Sequence, residues 1–468
     1  MAIEIKNLRL KFPETDKRQF SNLNINIKTG EKVLMLGPSG SGKSTLLNIL
    51  GGNIPRSMDI PFKADVLDVD TEAAYVFQDP DSQFTMPTVV EELAFILENR
   101  NVPRREMDRM IQDALFKVGL KTDLKMPINN LSGGMKQRLA IASALLQGSG
   151  TLLLDEPTSM LDEASVGGLW QTLENIWEDK TVVIVEHRVN EIWDKVDRVV
   201  LMNAEGELIM DDSPRSIMDN YIELLNEYGV WHPYSWDYAP VFTKVEPEDE
   251  TLIEINDMTL ERGKETLLNI DNLIIKKGEW LTIEGENGTG KTSLMLALMK
   301  LVKTDGIIHV NGKKVRKTKD IAGTVYPVFQ NPELQFITNK VYDEVFINLE
   351  MHYPQDAAHE KCEALLGRIG LDHVGHLHPL EISTGQKRRL SVATATGGVP
   401  EVMIFDEPTF GLDQKLSYEL LKMFHERVEE GVTVIMITHD RGITERYPTR
   451  RLILENKGIT EVRGDGHA

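Results

Sequence analysis

A single cysteine, Cys362, in 468 residues rules out an intrachain disulfide framework and suits a reducing compartment. Its plain reading is a small buried or surface residue rather than a nucleophile. Long apolar runs are also missing. No stretch approaches the roughly 20 consecutive apolar residues that span a bilayer, and runs such as Thr181 to Val185 read as buried strands. Met1 to Leu10 alternates apolar and polar residues, without the basic-then-apolar order of a secretory signal. The expectation is a cytoplasmic protein whose membrane role, if any, comes through a partner. Positive charge is scarce as well: 52 Lys and Arg face 73 Asp and Glu, a formal net charge of −21. That balance argues against wrapping nucleic acid, which needs clustered Lys and Arg to neutralise phosphates. The acidity itself has two open readings, solubility and a part in partner choice.

What the chain does contain, it contains twice. The first half carries Gly37-Pro38-Ser39-Gly40-Ser41-Gly42-Lys43-Ser44-Thr45, Gln78, Leu131 to Met135 (LSGGM), a run ending Asp155-Glu156-Pro157, and His187. The second carries Gly285-Glu286-Asn287-Gly288-Thr289-Gly290-Lys291-Thr292-Ser293, Gln330, Ile382 to Gln386 (ISTGQ), Asp406-Glu407-Pro408, and His439. The offset stays close to about 250 residues, too long for a solenoid unit and right for a whole domain. With 41% hydrophobic residues the chain can bury two cores.

Each half reads as strand, glycine loop, helix, helical insert, then further strands. Glu31 to Leu36 and Glu279 to Ile283 run into the glycine loops, and Ser44 to Leu50 and Thr292 to Leu301 have helical composition. Thr151 to Asp155, Thr181 to Glu186, Val402 to Asp406 and Thr433 to Thr438 are continuous apolar runs, as in parallel strands covered on both faces. The expected fold is α/β: two domains, each a mostly parallel sheet with helices plus a helical subdomain, with ligand loops at the strand ends. Pro214 to Tyr228 reads as one helix after the first core, without an equivalent in the second half. Residues 1–230 and 251–468 are the expected domains, and 231–250, rich in proline, aromatics and acids, the linker, with a boundary near 245. Its aromatics are expected to pack against a domain.

Both loops satisfy G-x-x-x-x-G-K-[ST] between a strand and a helix, the context in which backbone N–H groups and a helix N-terminus cradle phosphates. Lys43 and Lys291 are then expected on the β- and γ-phosphates of ATP, with Ser44 and Thr292 on Mg²⁺. Asp155 and Asp406 end apolar strands and are candidate Mg²⁺ ligands, together with Gln78 and Gln330. Glu156 and Glu407 are placed to polarise the attacking water; the alternative is that both acidic pairs cap helices. His187 and His439 follow the aspartates by 32 and 33 residues and are candidates for contact with the γ-phosphate.

This combination resembles a tandem ATP-binding-cassette ATPase over nearly all of both halves. The resemblance implies that L-S-G-G-Q caps a helix and completes the opposite domain's site. Ser132, Gly133 and Gly134 would meet the phosphate held by Lys291; Ser383 and Gly385, with Thr384 between them, would meet that held by Lys43. Asp162 and Asp413 resemble the loop that links two such sites. Met135 replaces the usual Gln, and Thr384 replaces a glycine where a Cβ can crowd the phosphate. Phe12 stands where the family places an aromatic under adenine. Arg262 stands there in the second half, either stacking or as an ordinary surface residue.

Phe77 to Phe84 with Thr88 to Phe95, Phe329 to Phe336 with Lys340 to Phe346, and Val185 to Arg188 (VEHR) resemble the ATPases of energy-coupling-factor importers. That likeness implies a transmembrane coupling protein and a small substrate-capture membrane protein as partners. The chain would then lie on the cytoplasmic face of the membrane, with its two domains pairing within one chain and no nucleic acid involved. Asp79, Asp81, Glu91, Glu92, Glu333, Asp343 and Glu344 are expected to meet arginines of the coupling protein, or else form a solvated face. A sugar-importer ATPase and a soluble tandem factor acting on ribosomes or DNA are the alternatives. The resemblance implies uptake of a vitamin or related micronutrient, such importers taking up vitamins and some transition-metal ions; thiamine or its pyrimidine precursor is a guess within that class.

Overall fold

The computed structural model describes residues 3–13, 17–159, 161, 163–263 and 265–463. Two compact units divide the chain, one of residues up to Tyr238 and one from Ala239 onward, apart from a few residues near 414.

In the first unit a six-stranded sheet runs in the order 208–212, 198–202, 32–36, 181–185, 151–155 and 74–76. Only its edge strand, Leu208–Asp212, is antiparallel. Thr151–Asp155 and Thr181–Val185 are buried along their whole lengths, which is why they read as unbroken apolar runs. A separate antiparallel sheet is built on Ile3–Leu10 and Phe20–Ile27, whose inward Ile, Leu and Phe residues cover the other side of the phosphate-loop helix. Three helices, Val89–Asn99, Arg104–Lys117 and Gly133–Gln147, form the insert.

The second unit repeats the plan. Its main sheet runs 325–328, 402–406, 433–437, 280–284, 450–455 and 458–463, antiparallel only at Gly458–Arg463. A side sheet pairs Thr251–Arg262 with Glu265–Lys276, and the insert is Val341–Glu350, Gln355–Arg368 and Thr384–Gly397.

The α/β assignment is correct, and the strand expectations agree to within a residue at each end. Two helices differ. The segment from Pro214 is two short helices, Pro214–Asn220 and Ile222–Glu227, broken where Tyr221 leaves helical geometry at φ −132°. The helix expected over Thr292 to Leu301 is Lys291–Leu298, and Lys300 just beyond it turns to φ +54°, outside the helical region. Within residues 231–250, Trp231 packs on Trp236 at 5.5 Å between ring centroids, and Phe242 stacks on His425 at 4.4 Å.

Candidate functional site

In each unit the strand feeding the phosphate loop lies next to the strand that precedes the histidine, so loop, acids and histidine gather at one sheet edge. Glycine is obligatory where the loop leaves the strand. Gly37 has φ +155°, and a Cβ there would lie 2.6 Å from the main-chain oxygen of Met202; Gly285, at φ +143°, would meet that of Leu454 at 2.6 Å. Lys43 and Lys291 open their helices and are buried. Lys43 Nζ donates to the oxygens of Gly37 and Pro38 at 2.8 and 3.0 Å, and Lys291 Nζ to those of Gly285 and Glu286 at 2.6 and 2.9 Å. Each ammonium thus sits inside its own loop, with burial lowering the Lys43 pKa.

The hydroxyl–carboxylate pairs face each other directly. Ser44 Oγ donates to Asp155 Oδ1 at 3.0 Å, and Thr292 Oγ1 to Asp406 Oδ2 at 2.8 Å. Burial and the neighbouring Glu156 charge push Asp155 up to about 6, and burial raises Asp406. Among the described residues no trio of His, Cys, Asp and Glu is arranged to hold a metal. One hydroxyl and one carboxylate nevertheless fit Mg²⁺, which takes few protein oxygens and fills its octahedron with water and phosphate.

Glu156 is the centre of a small network. Its Oε2 accepts from Gln78 Nε2 at 2.7 Å, and its Oε1 lies 3.3 Å from His187 Nε2. Burial works against both charges. At Glu156 the His187 charge and hydrogen bond, with Lys43 and Gln78, together outweigh it and the pKa falls; at His187 the Glu156 charge and hydrogen bond, with Glu186, together outweigh it and the pKa rises. In the second unit His439 Nε2 is 3.7 Å from Glu407 Oε1, and Gln330 is exposed. Both glutamates have left-handed backbones, φ +46° and +52°, with their N–H groups bonded to Val185 and Ile437 oxygens. Such backbone costs on the order of 1–3 kcal/mol and gathers at functional sites.

The signature segments begin helices. Ser132 Oγ accepts from Met135 N at 3.4 Å, and Ser383 Oγ from Gln386 N at 3.3 Å. Gln386 returns a bond by accepting from Ser383 N at 2.9 Å, which Met135 cannot do. Gly133 and Gly134 are partly buried at the first helix start, and Thr384, followed by Gly385, begins the second with an exposed side chain. Phe12 is half-buried against the side-sheet core, whereas Arg262 is exposed at the end of its strand. Asp413 is buried; Asp162 lies outside the described residues.

One expectation is overturned. Glu92 and Glu344 present no charge to a partner, because both are buried and hold the loop before their own helices. Glu92 Oε2 accepts from Thr85 N and Met86 N at 2.9 and 2.8 Å, and Glu344 Oε1 from Ile337 N at 2.6 Å and from Thr338 N. Asp79, Asp81, Glu91, Glu333 and Asp343 are exposed, although Asp81 and Glu333 pair with Lys136 and Lys387. Beside Asp81 lies a groove of about 370 Å³, lined by Phe84, Thr85, Met86, Pro87, Pro127, Ile128 and Asn129. At the matching place in the second unit Leu334 and Ile337 are 72% and 77% exposed.

Sequence reasoning missed several supports. Tyr75 hydroxyl donates to Asp155 Oδ2 at 3.1 Å, and the strand register puts Pro327 in its place in the second unit. Glu186 accepts from Thr158 Oγ1 at 2.7 Å and from His187 N at 2.8 Å; Thr438 is its counterpart. Gln83 and Gln335 tie the glutamine loops to the signature helices. Gln83 and Gln335 recur at the motif offset, the one signal by which the sequence could have revealed them; Tyr75 and Glu186 differ between halves and left no repeat signal.

A glycine loop at a helix start, a strand-end carboxylate and an adjoining glutamate in a parallel sheet define a P-loop nucleotide triphosphatase, here with two heads. The family model described as "ABC transporter" matches residues 20–159 and 268–410. The chain is 32% identical, over 98% of its length and 90% of the relative's, to "Putative HMP/thiamine import ATP-binding protein YkoD" of Bacillus subtilis (strain 168). It is 31% identical, over 97% and 89%, to "Putative ABC transporter ATP-binding protein CPE1583" of Clostridium perfringens (strain 13 / Type A). In fold it is similar to the archaeal ribosome recycling factor aABCE1, solved with the ribosomal stalk protein aP1, at TM-score 0.67, 21% identity and coverage of 98% and 90%. The chain belongs to the ABC transporter family and is an ATP-binding ATPase.

Proposed function

We propose that this chain is the ATP-hydrolysing subunit of an energy-coupling-factor type importer on the cytoplasmic face of the membrane. A transmembrane coupling protein and a small substrate-capture protein are its proposed partners, and thiamine or its pyrimidine precursor is the proposed cargo class. The observation that carries this is likeness along the whole chain, through both heads, to proteins named as transporter ATPases. Among the described residues no helix is long and apolar enough to cross a membrane, and the proposed membrane subunits would supply the transport path. The groove beside Asp81, lined by both polar and apolar groups with one carboxylate, suits a short helix carrying an arginine. The likeness to a ribosome recycling factor keeps a soluble role as the second reading, on fold alone.

In the proposed chemistry Lys43 and Lys291 leave their loop oxygens for the β- and γ-phosphates of ATP. Ser44, Asp155 and Gln78, and Thr292, Asp406 and Gln330, are the groups to hold Mg²⁺. That ion, when bound, neutralises charge on the phosphate oxygens. Glu156 and Glu407 polarise the water whose oxygen attacks the γ-phosphorus while the bond to the β-bridging oxygen breaks. His187 and His439 orient those glutamates and meet the γ-phosphate. Each signature helix is proposed to serve the other head, so that one chain forms the complete two-site ATPase, the connecting segment keeping effective concentration high.

Sedimentation tests that pairing. With Glu156→Gln and Glu407→Gln both present, ATP and Mg²⁺ are expected to leave the 52.9 kDa chain monomeric but more compact. ATP-dependent dimers would show instead that heads pair between chains.

A further inference from the structure

Arg388 has no place in the motif chemistry, yet it reaches the catalytic segment. It lies five residues after Ser383 on the helix Thr384–Gly397 and is only 6% exposed. Its Nη1 donates to the main-chain oxygen of Glu407 at 2.7 Å and lies 3.5 Å from that of Asp406. Glu407 holds φ +52°, a conformation that persists only where surroundings over-determine it. Its N–H is already fixed by Ile437, so strand and arginine hold the residue from both sides.

In the first unit the matching residue of the signature helix is Gln137. It is fully buried, and neither its amide nitrogen nor its amide oxygen has a hydrogen-bond partner among the described residues. Glu156 has the same backbone twist, φ +46°, without a side-chain donor from Gln137 on its carbonyl. An arginine buried against carbonyls keeps a charge-assisted hydrogen bond on the very peptide that aims the glutamate.

We propose that Arg388 is a positioning residue of the second ATP site, fixing Glu407 from the signature helix so that movement of that helix re-aims the carboxylate. The first site lacks this link. The inference rests on Glu407 being the residue that polarises water.

The test is steady-state hydrolysis by the full chain carrying Arg388→Gln, which installs the first unit's own residue, and Arg388→Lys. Arg388→Gln is expected to lower kcat about tenfold, the scale of one charge-assisted hydrogen bond. The KM for ATP, binding of a fluorescent ATP analogue and the Tm are expected to hold. Arg388→Lys, which retains a donor, should recover part of the loss, and Arg388→Gln should cost nothing further in a Glu407→Gln chain. Unchanged kcat overturns the proposal. So does a loss matched by weaker analogue binding or a lower Tm, which assigns Arg388 to packing, or an added loss on top of Glu407→Gln. Full turnover by Glu407→Gln alone would instead remove the reading of Glu407 itself, so the two failures are distinguishable.

Discussion

Glu407→Gln is expected to depress ATP turnover more than Glu156→Gln. Removing a general base costs about 10²–10⁴ at the site affected, so what survives measures the other site. In the proposed pairing the phosphate on Lys291 meets the Ser132-Gly133-Gly134 helix start, where nothing larger than glycine intervenes. The phosphate on Lys43 meets Thr384, whose exposed side chain stands at the helix start. Its backbone is ordinary helix, so the cost is steric rather than conformational. Full loss of such donors costs about 2.7–4 kcal/mol, and a partial misplacement of about 1.4 kcal/mol already slows a site tenfold. Met135 costs the other helix start only one exposed capping hydrogen bond, at the low end of the net range, roughly 0.5 kcal/mol. Thr384 therefore handicaps its site more than Met135 does. Glu407→Gln should leave only a minor fraction of turnover, Glu156→Gln most of it, and Thr384→Gly should raise the rate of the Glu407→Gln chain. Equal losses, or a larger loss from Glu156→Gln, would sink the asymmetry.

The second large effect concerns attachment to the proposed membrane partners. Reversing Asp81 and Glu91 together is expected to cut recovery of the complex severalfold while leaving ATP binding intact, because Asp81 lines the groove and both acids are exposed. Exposed charge pairs are weakened but not abolished at physiological salt, so the gap between the reversed and the native chain should narrow as salt rises. Glu92 serves as the contrast. Glu92→Ala removes the acceptor for Thr85 and Met86 N–H groups and should destabilise the first unit by about 1–3 kcal/mol, read as a lower denaturation midpoint. Unchanged recovery after reversal of Asp81 and Glu91 would take the groove out of the docking reading.

Glu92 also marks how far the residues alone could be read. Phosphate loops, strand-end acids and their duplication were legible because phosphate chemistry demands fixed residue types at fixed spacings. The central strands were legible because burial on both faces leaves continuous apolar runs, as at Thr151–Asp155 and Val402–Asp406. An acid on a helix's first turn looks the same whether it faces solvent or folds back on its own loop. Only the turn geometry sends Glu92 and Glu344 inward and Glu91 and Asp343 outward. Tyr75 and Arg388 were illegible for a related reason: each reaches a site through contacts distant in sequence, with no counterpart in the other half to reveal it. The side sheets went unassigned although Met1 to Leu10 alternates as a half-buried strand does, since their strands carry no motif.

These two ATPase heads are proposed to drive a membrane transporter, a role open to direct test. Its most direct measurement is purification of the tagged full chain from detergent-solubilised membranes, with the soluble fraction of the same cells run on a ribosome gradient. The expected result is a chain held in the membrane fraction, eluting with integral membrane subunits in constant ratio and hydrolysing ATP in that complex. A chain that leaves the membrane alone and sediments with ribosomes when ATP is bound would contradict it.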